Sequence, residues 1–490
     1  MVDMLETIRP RLNLLSAGTV NKIIDEAFDI LEKVGIFVEH DGAVKMLREA
    51  GADYDEISRK TFFPRKLVEQ SLKTVPPQIR MYDSQGELSL DLSGDNIHFD
   101  PGSAAINFLD YETGGIRKGM TADFVNLSVL VENLKNVDAQ STSFICYDVP
   151  EEIGDRYRLY LALKHCSKPI ITGIFQEDGW EIMKDMLLAV RGSEKALKEK
   201  PLAIFDACPS PPLKWSQLTT GSLIKCARMG IPSEMVSMPL AGATAPVTIM
   251  GSVTQHCAEC LAGIVISQVA QAGAPIIWGG SPSIFDMKKG TTPMGAIETM
   301  MIDVAYAQVG KELNIPTHAY LGLTDSKLID AQAGFETGMG AVMAALGGIN
   351  VISGGGLMDF ESLFSFEKLV IDNEIFGMVK RLARGVEPRE TPFARDLYEE
   401  FEKKGHFLSI PHTMKWFRKE FYMNSPVVER APLGEWQNRG KTTIEERAHE
   451  RVEQILSKGE KFALSEGKTT QLDQIMLDNA RKFGMDKLPE

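Results

Sequence analysis

The sequence has few of the features that would identify its class at once. Six cysteines are spread unevenly over 490 residues, a pattern that excludes a disulfide framework and indicates a reducing compartment. Lysine and arginine together number 53 against 67 acidic residues, for a net charge of -14. Proteins that wrap nucleic acid are usually basic, so the composition argues against nucleic-acid binding as the main activity.

Targeting and membrane-spanning segments are also missing from the sequence. The first 16 residues carry charges at Asp3, Glu6, Arg9 and Arg11 and contain no apolar core of signal-peptide length. No apolar run reaches the roughly 18 residues that a transmembrane helix needs. We therefore expect a soluble cytoplasmic protein with no membrane partner.

What the sequence does contain is a repeated alternation of short apolar runs with helical segments. Runs that are apolar on both faces indicate parallel strands in βα units. About eight such units favour a closed (β/α)8 TIM barrel over an open doubly wound α/β sheet. The predicted strands are Ile97–Asp100, Ala139–Cys146, Pro169–Phe175, Ala203–Asp206, Met235–Pro239, Pro275–Trp278, Thr317–Leu321 and Asn350–Ser353.

The chain divides into three predicted parts. Residues 1–95 form an N-terminal addition of helices and short strands, residues 96–385 form the barrel, and residues 386–490 form a helical extension packed on it. Helical apolar spacing marks residues 17–35 in the first part. In the last part, Thr443 followed by Glu446 fits a capping box at the start of a helix.

The common catalytic signatures are absent. The sequence contains no HExxH, no GxSxG and no complete GxxxxGK[ST] pattern. Cys257 and Cys260 form a CxxC next to His256, within a predicted helix. Residues three apart share one helix face, and a zinc site would need further ligands, so packing cysteines are favoured over a metal or redox site. His256 is likewise expected in the core, and no metal site is predicted.

Aromatic and polar-tipped residues concentrate at the ends of the predicted strands. Barrel active sites occupy that carboxyl-terminal face, and several rings with a few acidic groups would suit a quaternary ammonium ion. The alternative is that the rings simply cap the barrel core. The residues are Phe99, Asp100, Cys146, Tyr147, Phe175, Phe205, Asp206, Trp278, His318, Tyr320, Phe335 and Glu336.

Three consecutive glycines follow the last predicted strand. Backbone amides around Gly354, Gly355 and Gly356 would be able to grip a phosphate or carboxylate, as loops after late barrel strands often do. A sharp turn from strand to loop explains the same glycines equally well.

Long segments of the chain resemble the trimethylamine:corrinoid methyltransferase family over essentially its whole length. They are PLAGATAPVTIMGSVTQHCAECLAGIVISQ (Pro239–Gln268), GGSPSIFDMKKG (Gly279–Gly290), GLTDSKLIDAQAGFE (Gly322–Glu336), FEKLVIDNEIFGMVKRLARG (Phe366–Gly385) and HFLSIPHT (His406–Thr413). The resemblance implies a barrel enzyme that takes a methyl group from a methylated amine. The acceptor is cobalt in a separate corrinoid protein, so no tightly bound cofactor is expected.

The chain departs from the founding members of that family at one informative place. Those enzymes carry pyrrolysine within the stretch that here reads DAQAGFE, where this chain has Ala333 and Gly334. Family members without pyrrolysine resemble demethylases of quaternary amines. The resemblance therefore implies glycine betaine as the first choice of substrate, with release of dimethylglycine. Proline betaine, carnitine, γ-butyrobetaine or a non-catalytic betaine-binding role are the alternatives, and a metal-dependent lyase is a more distant one.

Under this interpretation the strand-end residues take provisional roles. Trp278, Tyr320, Phe205 and Phe335 would form an aromatic cage, with Phe99 and Tyr147 behind them, and Glu336 and Asp206 would attract the cation. Donors to a betaine carboxylate would be His318, His256, Gln332 and the amides of Gly354 and Gly355. Catalysis would consist of in-line positioning, for which Glu336, Gln332 and His318 are candidates. The sequence leaves the oligomeric state open, and a homo-oligomer is one of the alternatives.

Overall fold

A computed structural model of the chain describes residues 6–489. The first five residues, which include Asp3 of the segment analysed for targeting, lie outside that range. The strands are β1 Ile36–Val38, β2 Asp53–Asp55, β3 Lys60–Phe62, β4 Arg80–Tyr82, β5 Leu88–Asp91, β6 His98–Asp100, β7 Asn107–Leu109, β8 Ile116–Arg117, β9 Gln140–Ser141, β10 Ile170–Gly173, β11 Ala203–Ala207, β12 Lys214–Trp215, β13 Ser233–Ser237, β14 Leu240–Ala241, β15 Ile276–Gly280, β16 Ser283–Ile284, β17 His318–Tyr320, β18 Val351–Ser353, β19 Leu357–Met358 and β20 Leu363–Phe364.

The helices alternate with these strands in the middle of the chain and dominate its end. A π-helical turn, Ile30–Val34, continues the first helix. The α-helices are α1 Ala17–Asp29, α2 Asp41–Glu49, α3 Arg65–Leu72, α4 Thr121–Asn133, α5 Gly154–His165, α6 Gly179–Arg191, α7 Glu194–Glu199, α8 Gln217–Met229, α9 Ile249–Ala270, α10 Ile297–Glu312, α11 Ala331–Leu346, α12 Phe366–Ala383, α13 Tyr398–Lys404, α14 Pro411–Glu420, α15 Leu433–Asn438, α16 Ile444–Lys458 and α17 Glu466–Arg481.

Eight parallel strands form the centre of the molecule, and each overlaps one of the eight predicted strands. They pair as a five-stranded sheet, β15-β13-β11-β10-β9, and a three-stranded sheet, β17-β18-β6. A parallel bridge between Trp278 and Thr317 connects β15 to β17. On the other side, the Asp138 amide donates to the Phe99 carbonyl over 2.7 Å, between β6 and the start of β9. The α/β class is confirmed.

Side chains on these strands alternate between an inner face and an outer face that meets the helices. At the amino-terminal ends of the strands the inner face is apolar. There, residues of the parallel strands pack against residues in and beside the β4–β5 hairpin, so the N-terminal addition covers this end. The cluster consists of Ile79, Met81, Leu90, Leu92, Ala139, Ile171, Ile204, Ile277 and Val351.

Helix α9 is the central helix of the outer layer. By length and composition it would be able to cross a membrane, but most of it is buried, against α1, α3, α8 and α10. Cys257 and Cys260 are fully buried within it, in agreement with the packing interpretation of the CxxC pair.

The C-terminal helices pack on the outer layer of the parallel strands. Helix α16 contacts α12 and α4, while α17 contacts α6 and α5. The predicted capping box is confirmed. The Thr443 amide donates to a Glu446 carboxylate oxygen over 2.6 Å, and the Glu446 amide donates to the Thr443 hydroxyl over 3.2 Å. A 3-10 turn, Arg395–Leu397, precedes α13.

Candidate functional site

The inner face of the parallel strands changes from apolar to polar toward their carboxyl-terminal ends. Two residues after Ile204 comes Asp206, and two residues after Val351 comes Ser353. Because side chains repeat with a period of two along a strand, these polar residues point to the same side as the apolar cluster. The strand geometry therefore places a polar layer directly above an apolar one.

A chain of close contacts runs through the deepest part of this layer. Glu234 Oε1 lies 2.8 Å from His318 Nδ1, and His318 Nε2 lies 3.0 Å from the Ser353 hydroxyl. Ser353 donates to Asp100 Oδ2 over 2.6 Å. All four side chains are buried. Burial lowers the pKa of His318 to about 4, and the charge of the Asp100 carboxyl acts in the opposite direction.

Asp206 stands beside this chain and is partly accessible to solvent. It pairs in register with Glu234 on the neighbouring strand, and its Oδ1 atom is buried without a hydrogen-bond partner among residues 6–489. Burial and the neighbouring carboxyls of Glu234, Asp100 and Glu361 raise its pKa well above the ordinary value. The charged groups that raise the pKa of Asp206 most are thus all acidic.

Glu361 reaches the same layer from a loop after β19. The loop residues Asp359, Phe360 and Glu361 have φ angles of 48°, 56° and 69°, and three successive non-glycine residues in the left-handed region are strained. Lys327 holds the loop, with its ammonium 3.0 Å from Asp359 and 3.9 Å from the Phe360 ring centroid. The Glu361 carboxylate accepts from the Ser281 hydroxyl over 3.1 Å.

The four carboxyl groups of Asp100, Asp206, Glu234 and Glu361 form a cluster that we call the carboxylate layer. Burial raises the pKa of Asp100 to about 7 and that of Glu361 to about 8. No lysine or arginine is among the groups that most affect these four pKa values. Buried carboxyls without a counter-charge stay protonated, whereas a cationic ligand would favour their ionised forms. Between residues 6 and 489, no group of three or more His, Cys, Asp or Glu is arranged to hold a metal ion.

The predicted aromatic cage is not assembled, because two of its four rings, Trp278 and Phe205, lie on the outer face, as does Phe99, which was predicted behind them. Trp278 is fully buried, and its indole N–H donates to the Tyr306 carbonyl on α10 over 3.0 Å. Phe205 packs edge-on against Trp180 of α6, and Phe99 stacks on Phe376 of α12. Strand alternation explains the correction, since each ring is one position away from an inward-facing residue.

The other predicted aromatic residues are dispersed. Tyr320 does reach the inner face: its ring meets His318 edge-on, with centroids 5.1 Å apart, and its hydroxyl is 3.4 Å from the Ser103 carbonyl. Tyr147 is 42% exposed beside Lys118, and Phe335 is 58% exposed on α11. Of the four predicted cage rings and the two behind them, Tyr320 is therefore the one that the structure places on the inner face beside His318.

The predicted donors to a substrate carboxylate are largely occupied by protein groups. The amides of Gly354 and Gly355 donate to the Asp100 carbonyl over 3.2 and 3.1 Å, which supports the turn interpretation of the glycines. His256 is buried and lies 2.9 Å from the Gly279 carbonyl. Gln332 donates to Glu336 over 2.9 Å.

Glu336, a predicted partner of the cation, also has other partners. Its carboxylate accepts from the Thr324 hydroxyl over 2.5 Å and from the Asp325 amide over 2.8 Å. It therefore organises the loop after β17. Of the polar residues at the predicted strand ends, Asp100 and Asp206 belong to the carboxylate layer, and His318 lies against it.

Glu234 and Glu361 are absent from the residues predicted from the sequence. The predicted strand began at Met235, whereas β13 begins at Ser233, so Glu234 was left outside the strand. An acidic residue inside an otherwise apolar strand would have been the available signal. Nothing in the local sequence pattern indicated that Glu361, on a loop, returns to the inner face.

Comparison with known proteins agrees with the whole-chain resemblance. The family described as trimethylamine methyltransferase matches residues 1–484. The glycine betaine methyltransferase of Desulfitobacterium hafniense (strain Y51) is 30% identical over 450 residues, covering 91% of this chain and 93% of that protein. A trimethylamine methyltransferase from strain DSM 10664 / DCB-2 of the same species is 28% identical, covering 93% and 92%.

Among solved structures, the Methanosarcina barkeri monomethylamine methyltransferase aligns over 92% of this chain and 90% of its own, with a TM-score of 0.48 and 10% identity. The family match spans nearly every residue of the sequence, and the two curated relatives cover more than nine-tenths of it. The chain belongs to the trimethylamine methyltransferase family.

Proposed function

We propose that this methyltransferase takes a methyl group from a quaternary amine, with glycine betaine as the first candidate, and transfers it to Co(I) of a separate corrinoid protein. Dimethylglycine would be the other product. The name of the 30% identical relative supports this choice of substrate. Proline betaine, carnitine and γ-butyrobetaine are the alternatives.

The observation that carries the proposal is the burial of four carboxyl groups together in the carboxylate layer. Burial raises the pKa of all four carboxyl groups, and the neighbouring carboxyls raise the pKa of Asp206 further. No lysine or arginine is among the groups that most affect these pKa values. Burying several carboxyls together is unfavourable, so the arrangement is best explained by a ligand that supplies positive charge. A quaternary ammonium group has that charge at every pH and donates no hydrogen bond.

The methyl transfer requires no acid or base catalysis by the protein. When the methyl group moves, the C–N bond breaks, its electron pair stays on nitrogen, and a Co–C bond forms with the electron pair of Co(I). The leaving amine is neutral and needs no proton. The protein's part is to hold the N–CH₃ bond in line with the metal and to exclude water. Tyr320 and the carboxylate layer would fix the ammonium end.

The architecture fits access by a partner from one side. We infer that the two parallel sheets close into one eight-stranded (β/α)8 barrel through the Trp278–Thr317 bridge and the Asp138–Phe99 hydrogen bond. The β4–β5 hairpin then covers the amino-terminal end, and the corrinoid protein would approach the carboxyl-terminal end, where barrel active sites lie. Residues 96–385 would form this catalytic domain, in a cytoplasmic protein.

The test is a substrate panel with a reduced corrinoid protein. Glycine betaine, proline betaine, carnitine, γ-butyrobetaine and trimethylamine are each mixed with the enzyme and Co(I), and methyl-cobalt absorbance is followed. We expect methylation with a betaine and stoichiometric release of the demethylated amine. Methylation by trimethylamine alone would refute the quaternary-amine assignment. Tight betaine binding without turnover, with an active corrinoid protein present, would support the non-catalytic alternative.

A further inference from the structure

A cavity of about 500 Å³ opens beside the carboxyl-terminal ends of β9 and β10. Its walls are mainly apolar. One cationic side chain, Arg158 of α5, lines it together with Tyr147, Phe175 and Gln176, and the carboxylates of Asp155 and of the exposed Glu151 line it as well. None of the four carboxyl groups of the carboxylate layer lines this cavity.

Arg158 presents one free edge of its guanidinium group. The residue is 4% exposed. Its Nε donates to the Gly154 carbonyl over 3.1 Å, and its Nη1 donates to the Thr142 carbonyl over 2.8 Å. No residue between 6 and 489 accepts a hydrogen bond from Nη2. Two fixed donors hold the group rigidly, and the third remains for a ligand.

The nearest carboxylate, that of Asp155, does not neutralise the charge of Arg158. Asp155 accepts from the amides of Phe175 and Gln176 over 2.9 and 3.2 Å. It also lies 3.5 Å from Nε of Arg156, which is fully buried. Asp155 is therefore balanced by Arg156 and by backbone amides. A buried guanidinium remains charged, so the cavity wall has a positive charge with an unused donor.

Phe175 connects this cavity to the carboxylate layer. A Cβ atom at Gly173 would lie 3.1 Å from the Phe175 ring, and Gly173 pairs in register with Asp206. On the other side, the Arg158 guanidinium carbon is 5.5 Å from the centroid of that ring. The Phe175 ring thus lies between the acidic carboxylate layer, on the side of Asp206, and the basic side chain of Arg158 in the cavity.

We propose that Arg158 binds the carboxylate of a zwitterionic substrate and so determines the preference for betaines over quaternary amines that lack an anionic group. The inference rests on the proposed function, because the ammonium end of the same substrate occupies the carboxylate layer. A charge-assisted hydrogen bond contributes about 1.5–3 kcal/mol, equivalent to a change in affinity of about 10- to 150-fold.

The experiment measures the Kd of three ligands, glycine betaine, choline and tetramethylammonium, by calorimetry on the full-length protein. In Arg158→Gln, we expect the Kd of glycine betaine to rise at least about tenfold and the other two to change less than about twofold. Gln176→Glu keeps both backbone bonds of Arg158 and places a negative charge in the cavity, so it should weaken betaine binding about threefold without affecting choline.

Arg191→Gln is the matched control. Arg191 also donates to backbone carbonyls, of Asp83 over 2.8 Å and Tyr82 over 3.4 Å, and burial lowers its pKa as it does that of Arg158, but it lies by the β4–β5 hairpin. This variant should bind all three ligands as wild type does. The inference is overturned if Arg158→Gln and Gln176→Glu leave the betaine Kd unchanged, or weaken all three ligands equally. If the wild-type protein binds none of the three, the proposed function itself fails.

Discussion

Two layers of side chains on the same parallel strands differ sharply, although they are only two residues apart. At the amino-terminal level, Ile204 and Val351 pack in an apolar cluster closed by the β4–β5 hairpin. At the next inner position stand Asp206 and Ser353, beside buried Glu234 and His318. The first layer stabilises the fold, whereas the second buries acidic groups at a cost. On β11 and β18, one step along the strand therefore separates the position that stabilises the fold from the position in the proposed ligand site.

The largest expected loss of stability comes from a substitution on the outer face of the parallel strands. Trp278→Ala should lower the free energy of unfolding by about 3–5 kcal/mol, because it empties a buried site against α10 and removes the hydrogen bond to Tyr306. Denaturant unfolding measures this loss. Glycine betaine affinity of the folded variant should stay within about twofold of wild type, whereas membership of a cation cage would raise the Kd by one to two orders of magnitude.

A neutral replacement in the carboxylate layer should affect binding more than stability. Asp206→Asn removes a charge that would face the ammonium group, which costs about 2–3 kcal/mol and raises the Kd of glycine betaine about 30- to 150-fold. Calorimetric titration measures the change. An unaltered Kd with a normally folded variant would remove Asp206 from the cation site.

The stability of the unliganded protein should fall as the pH rises. Burial raises the pKa of Glu361 to about 8 and of Asp100 to about 7, so between pH 5 and 8 the folded chain keeps protons that the unfolded chain has released. That difference in proton binding stabilises the folded state at low pH and is lost as the pH rises. We expect a loss of about 1–2 kcal/mol across this range from Glu361, allowing for its partial exposure.

The control for this pH dependence is Glu361→Gln. It cannot titrate, and it retains an oxygen able to accept from Ser281. Its unfolding free energy, measured by urea titration at several pH values, should decline less steeply than that of wild type. Identical slopes for the two proteins would show that Glu361 titrates normally.

A substitution in the apolar layer should have the smallest effect, and it should change stability without changing betaine affinity. Ile204→Val removes one methylene from the cluster, at a cost of about 0.5–1.5 kcal/mol in unfolding free energy. Betaine affinity should be unchanged, although Ile204 is only two residues from Asp206 on β11. A Kd that rises as much as in Asp206→Asn would show that the two layers are not separable.

The fold was more accessible from the sequence than the site. Eight apolar runs located all eight parallel strands, and Thr443 with Glu446 located the start of α16, because both signals are local. The cage failed because the prediction assigned Trp278, Phe205 and Phe99 to a face by residue type, while the phase of the strand alternation decides which side a ring takes. Glu234 was lost through a two-residue error at a strand start, and Arg158 gave no signal, since it lies within a helix that is buried along most of its length.

The most direct test of the cation site compares two ligands of the same shape. Glycine betaine and 3,3-dimethylbutanoate differ only in that carbon replaces the charged nitrogen, and both keep the carboxylate that Arg158 would bind. For the wild-type protein at pH 7.5, we predict that glycine betaine binds at least about tenfold more tightly, since only the cation is attracted to Asp206, Glu234 and Glu361. Equal or tighter binding of the uncharged analogue would contradict the account.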